Sequence, residues 1–102
     1  MIVMDSSTGK EVAALPTVEG MDGVYFNAAQ KRIYVSGERD NDVGYIFIYQ
    51  QKDADHYEAI GKMSTKSGAG TSFWSPELNR LYIGAPASDK EEAAILVFEP
   101  QP

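Results

Sequence analysis

Gly23-Val24-Tyr25-Phe26-Asn27, a short polar turn and Arg32-Ile33-Tyr34-Val35 return 48 residues later as Thr71-Ser72-Phe73-Trp74-Ser75, a second turn and Arg80-Leu81-Tyr82-Ile83. The two halves of the unit keep the same spacing in both copies. A further element occurs three times, as Ile2-Val3-Met4-Asp5, Phe47-Ile48-Tyr49-Gln50 and Leu96-Val97-Phe98-Glu99, at offsets of 45 and 49 residues. Each piece is rich in β-branched and aromatic residues and bounded by Gly, Asn, Asp, Ser or Pro, the composition of short strands.

Extending this reading along the 102 residues gives nine strands, near 2–5, 11–16, 22–27, 32–36, 45–50, 57–63, 70–75, 80–84 and 94–99. Residues 28–31 and 76–79 read as tight turns, the second with Pro76 where a type I turn favours proline. Only Ser88 to Ala94 has a helix-friendly composition, and it is too short to form a helix alone. A period of about 40–50 residues built from short strands indicates propeller blades, four-stranded antiparallel sheets stacked around an axis, rather than helical solenoids.

Burial patterning supports stacking. Tyr45-Ile46-Phe47-Ile48-Tyr49, Ile33-Tyr34-Val35, Leu81-Tyr82-Ile83 and Ile95-Leu96-Val97-Phe98 are apolar at every position. A sheet with one wet face alternates, so these strands are expected to be covered on both sides. With no helices to cover them, other sheets must. Residues 11–16 and 57–63 are mixed, with Glu11, Glu58 and Lys62 among small apolar residues, and Pro16 suits an unpaired edge. Both fit an outermost strand.

The pattern resembles the YVTN-type β-propeller repeat, a family of seven-bladed rings. The resemblance rests on Gly23-Val24-Tyr25-Phe26, on Arg32-Ile33-Tyr34-Val35 and on Val3-Met4-Asp5-Ser6-Ser7-Thr8-Gly9 running through Val12-Ala13-Ala14-Leu15-Pro16. It covers almost the whole chain. Departures are Met21-Asp22 in place of the usual Pro-x opening, and Ser72 and Trp74 where small apolar and Phe are typical. In that family the strands of a blade run A to D outward from a central channel. The resemblance therefore implies strands C and D in residues 1–16, one full blade in 17–63, and a blade lacking its outer strand in 64–102.

Composition narrows the function classes. Fifteen acidic against nine basic residues give a formal charge of −6, which disfavours nucleic acid and anionic membrane as partners. The absence of cysteine excludes disulfides, thiolate metal sites and thiol catalysis, and the lone His56 excludes a site needing two imidazoles from one chain. No apolar run approaches the roughly 18 residues of a membrane-spanning helix, and no signal peptide is visible, although members of the resembled family are often exported. The compartment stays open.

Two stacked blades leave two apolar faces uncovered. With some six large side chains on each, at roughly 1.5–3 kcal/mol apiece for full burial, about ten kcal/mol is left unrealised per face. The chain is therefore expected to be a homo-oligomer, closing head to tail into a ring of three or four copies in which residues 11–16 complete the blade ending at Phe98 of a neighbour. The interface residues expected are Val12, Ala14, Tyr34, Phe47, Tyr49, Trp74, Tyr82, Val97 and Phe98. The alternative is a structural fragment of a larger propeller with no ligand of its own.

Chemistry-bearing motifs are sparse. Asp40 and Asp42, with Glu38 and Gly44 nearby, suggest a cation loop, but counting from Glu38 puts Val43 and Tyr49 where an EF-hand needs Gly and Glu. Asp22 begins an innermost strand, and symmetry would repeat it as a ring of carboxylates around the channel. Asp22, Asp40 and Asp42 are thus the candidate ligand or cation residues. They belong to a rim that gathers Glu19, Asp22, Glu38, Asp40, Asp42, Asp89, Glu91 and Glu92 against Arg39, Lys66 and Lys90, a surface able to attract a cation or a basic partner. Ser67-Gly68-Ala69-Gly70-Thr71 lacks the Lys and helix of a phosphate loop. His56 has no serine partner for a triad, and Asp53 and Asp55 sit in a polar turn with nothing to raise a carboxyl pKa. No catalytic residue, metal site or cofactor is expected, and the reading is a non-catalytic binding or scaffold module. An enzyme would need a site formed between chains.

Overall fold

A computed structural model describes residues 1–38 and 43–102, and Arg39, Asp40, Asn41 and Asp42 lie outside the described residues. The fold is all-β. Among the described residues nine strands follow in order: β1 (Ile2–Met4), β2 (Glu11–Ala14), β3 (Met21–Asn27), β4 (Arg32–Gly37), β5 (Val43–Asp53), β6 (His56–Ser67), β7 (Ser72–Ser75), β8 (Arg80–Ala85) and β9 (Ala94–Phe98). They make three antiparallel sheets: a β1-β2 hairpin, a central β3-β4-β5-β6 meander and a β7-β8-β9 meander.

The sequence repeat is also a backbone repeat. Lys31 and Asn79 both adopt positive φ, at 54° and 53°, and Gly20 and Gly68 do so ahead of β3 and β7, at 63° and 73°. Each pair is 48 residues apart. Asn27 Oδ1 accepts the Gln30 N–H, and Ser75 Oγ accepts the Leu78 N–H, so both turns are closed by a polar side chain three residues upstream.

Several expected boundaries move: β2 stops at Ala14, short of 16, and β7 starts at Ser72 rather than 70. β5 and β6 run to 11 and 12 residues, beyond the predicted 45–50 and 57–63. Polar residues extend the hairpin past the sheet, and the Asp53 carboxylate accepts the Asp55 N–H at 2.8 Å to close its turn. Residues 88–94 form no helix. Ser88 organises a turn instead, its Oγ accepting the Glu91 N–H while its own N–H donates to the Glu91 carbonyl at 2.9 Å.

The middle strands of the central sheet are covered on both faces, with the period-two division they require. Ile33, Val35, Tyr45, Phe47 and Tyr49 pack against Met1, Leu15 and Val18 of the N-terminal segment. Tyr25, Tyr34, Ile46 and Ile48 pack on the opposite face against Trp74, Leu81, Ile83, Leu96 and Phe98 of the third sheet. Of the strands apolar at every position, β4 and β5 are covered on both sides, whereas β9 leaves Ile95 and Val97 exposed, because no described sheet of this chain stands over its outer face.

Close to β3 and β7 the seam between the two larger sheets turns polar. Ser36 Oγ donates to the Gly70 carbonyl at 2.8 Å and meets Ser72 Oγ, while the Tyr25 hydroxyl donates to the Ser72 carbonyl. Gly23 admits this approach: a Cβ there would collide with Ser72 Oγ.

Candidate functional site

The residues expected at an interface between chains fall into three groups, buried, half-buried and exposed. Tyr34, Tyr49 and Trp74 are buried inside this chain, which corrects their assignment. The Tyr34 and Trp74 rings meet between the two larger sheets, centroids 5.3 Å apart. Tyr49 lies under the N-terminal segment, its hydroxyl donating to the Pro16 carbonyl. Burial pushes the Tyr49 phenol pKa up, and a hydrogen bond with Thr17 opposes that in part. Phe47 and Phe98 are half-buried on the two internal cores. Val12 and Tyr82 are half-buried, while Ala14 and Val97 are exposed.

The free apolar surface lies elsewhere as well. On the outer face of the third sheet Phe73 is 58% exposed, Ile95 67% and Val97 55%, with Tyr82 beside Phe73 in register. On the N-terminal side of the central sheet the hairpin covers only the outer strands. Val24 and Phe26 of β3 stay 50% and 48% exposed. Each open face therefore carries fewer large side chains than the six expected: Phe73, Tyr82, Ile95 and Val97 on the three-stranded third sheet, and Val24 and Phe26 beside the hairpin on the central sheet.

A groove of about 380 Å³ runs between the back of the central sheet and the free edge of β9. Ile46, Ile48, Ile60 and Met63 form one wall and Phe98 the other, and no described strand pairs with the outer edge of β9. The tail closes one end, where Gln30 Nε2 donates to the Gln101 carbonyl at 3.0 Å. Sequence reading missed this groove, because Ile60 and Met63 lie in the strand 57–63, whose mixed composition marks an outermost strand without singling out an apolar face.

Asp22 is exposed and lies over Gly70, whose missing side chain makes room for its carboxylate, with Glu38 on the same glycine. Asp40 and Asp42 lie outside the described residues, so their grouping with Asp22 is not part of the described structure. Among the described residues no three His, Cys, Asp or Glu side chains are placed to hold a metal ion. In the rim, Lys66 pairs with Glu91.

His56 sits on the β5-β6 turn, with Nδ1 at 2.7 and 2.8 Å from the two Asp53 carboxylate oxygens. The Asp53 hydrogen bond and then its charge raise the His56 pKa. The Asp55 N–H, followed by the His56 hydrogen bond, lowers that of Asp53. Both groups are solvent-exposed, and the pair fastens a turn.

In comparisons with known proteins, no family profile, curated sequence or solved structure matches this chain.

Proposed function

We propose that the chain is a β-propeller segment of the YVTN type, acting as a non-catalytic binding or scaffold module that assembles with further copies into a closed ring. One observation carries this reading. The middle strands β4 and β5 of the central sheet are covered on both faces, whereas the outer face of the third sheet and the β3 part of the central sheet present apolar surface of the same kind to solvent. Phe73 and Tyr82 stand, 48 residues on, where Tyr25 and Tyr34 stand in the central sheet, and that face of the central sheet is covered. A face so constituted is an interface. A contact between unlike faces that closes on itself makes a ring.

In such a ring β3 and β7 are the innermost strands, and Asp22 stands at the mouth of the channel. A ligand or partner drawn there would be cationic, and its attraction would weaken with salt. Light scattering at micromolar concentration tests the assembly: a mass of three or four chains is expected, and a folded single chain overturns it.

A further inference from the structure

We propose that copies of this chain join by strand exchange: β2 leaves its own β1 and pairs with the free edge of β9 in a neighbouring copy, in a defined register. The inference rests on the head-to-tail assembly above and adds the strand that is displaced and the register that replaces it.

The hairpin and the central sheet share a detail that fixes the correspondence. β1 pairs with β2 as Ile2↔Ala14, Val3↔Ala13 and Met4↔Glu11, with a break in register between Val3 and Met4. β5 pairs with β6 as Phe47↔Lys62, Ile48↔Gly61 and Tyr49↔Ala59, with a break between Ile48 and Tyr49. These are equivalent positions of the element that occurs three times, so β2 stands to β1 as β6 stands to β5. The third occurrence, Leu96-Val97-Phe98 in β9, has no such partner. The strand that fits it is one that already pairs with this motif and its bulge. β2 is such a strand, and β6 is committed to β5. The register follows as Leu96↔Ala14, Val97↔Ala13 and Phe98↔Glu11, antiparallel as in the hairpin.

Strand counting requires that β1 yield. Two four-stranded sheets per chain use eight strands, and the described residues form nine. The duplicated position is the one held by β1 and by β9. β1 is three residues long, and its Ile2 and Met4 face solvent. β9 is five residues long and arrives with β7 and β8 attached. Substituting β9 for β1 sets Val97 where Val3 was and brings Phe73 and Tyr82 over the exposed Val24 and Phe26, which the hairpin cannot reach. The donated Ala14 then lies beside Leu96, at the groove walled by Ile60 and Met63. The exchange costs the Met1–Leu15 pairing, in which the Met1 ammonium donates to the Leu15 carbonyl at 2.7 Å.

The chain has no cysteine, so an engineered pair reports unambiguously. Val3→Cys with Ala13→Cys in one chain ties β1 to β2 after oxidation with diamide. The expected result is a single-chain mass when oxidised and the assembled mass after reduction. A chain carrying Ala13→Cys mixed with one carrying Val97→Cys is expected to give a covalent dimer on oxidation, and Val12→Cys mixed with Val97→Cys much less. If a Cys at position 13 disturbs folding, as far-UV circular dichroism would show, Ala14→Cys with Leu96→Cys replaces the mixed pair. An assembled mass that persists in the oxidised Val3–Ala13 chain overturns strand exchange and leaves the ring standing. A folded single chain without any substitution overturns both.

Discussion

The Tyr34 ring lies tilted at 56° against the Trp74 indole, 5.3 Å between centroids, and joins the central sheet to the third sheet. The Tyr34 hydroxyl is held from the other side by Asn27 Nδ2, which donates to it at 2.9 Å. The Trp74 N–H has no acceptor among the described residues, so the indole is retained by packing rather than by polar anchoring.

Truncating Trp74 to Ala should therefore cost about 3–5 kcal/mol, the usual loss for a large buried aromatic. Trp74→Phe should cost much less, because the polar end contributes no hydrogen bond. Urea denaturation followed by circular dichroism measures both. A loss below about 1 kcal/mol for Trp74→Ala would mean that the two sheets do not meet as described.

Gly37 and Gly84 should respond oppositely to Ala. A Cβ on Gly37 would lie 2.7 Å from the Gly20 carbonyl oxygen and 2.8 Å from Met21 Cα, both backbone atoms that cannot turn aside. Overpacking of this kind costs roughly 1–3 kcal/mol. At Gly84 the nearest atom is the Thr71 carbonyl oxygen at 3.8 Å, an ordinary contact. Gly84→Ala should be neutral or stabilising by up to about 1 kcal/mol, since it restricts the unfolded chain. Equal melting temperatures for the two variants would contradict the packing.

Lys31 and Asn79 share a left-handed backbone, but Lys tolerates it less well than Asn. Lys31→Gly should raise stability by about 1 kcal/mol, with Asn79→Gly changing it less. Thermal unfolding of the two variants separates these outcomes, and a destabilised Lys31→Gly would refute the strain.

The His56–Asp53 pair gives a pH signature. The raised histidine contributes stability below its unfolded pKa and loses that contribution as pH rises through its folded value. The lowered carboxylate contributes above its unfolded pKa and loses that contribution as pH falls through its folded value. Both contributions are complete between the ordinary carboxylate and histidine ranges, and they are small because the groups are exposed. A proton NMR titration of the imidazole should show a midpoint above that of a free histidine, lowered by Asp53→Asn. A midpoint unmoved by that substitution would dissolve the pair.

Much of the architecture was legible in local pattern. The turns at 28–31 and 76–79 could be placed because polar side chains and Pro76 punctuate apolar runs, and the 48-residue repeat carried through to four left-handed residues. Period-two burial could also be inferred, since Ile33 and Tyr34 are both apolar and must face different partners. The length of β5 and β6 was not legible, because residues 51–53 and 64–67 are polar and pair by backbone bonds that leave little trace in hydropathy. Nor was the candidate site: Asp22 could be named, but its place over Gly70 depends on a residue 48 positions away.

What this sequence determined by itself is that its inner strands are apolar on both sides and recur after 45 to 49 residues, because side-chain alternation is a property of each strand alone. Which apolar residues met a partner was decided only by the tertiary structure. Tyr34 and Trp74 are nearly identical in composition and context to Tyr82 and Phe26, yet the first two are buried or nearly so and the last is half exposed. The difference lies in which sheet happens to stand opposite, and that is a relation between distant segments rather than a property of either one.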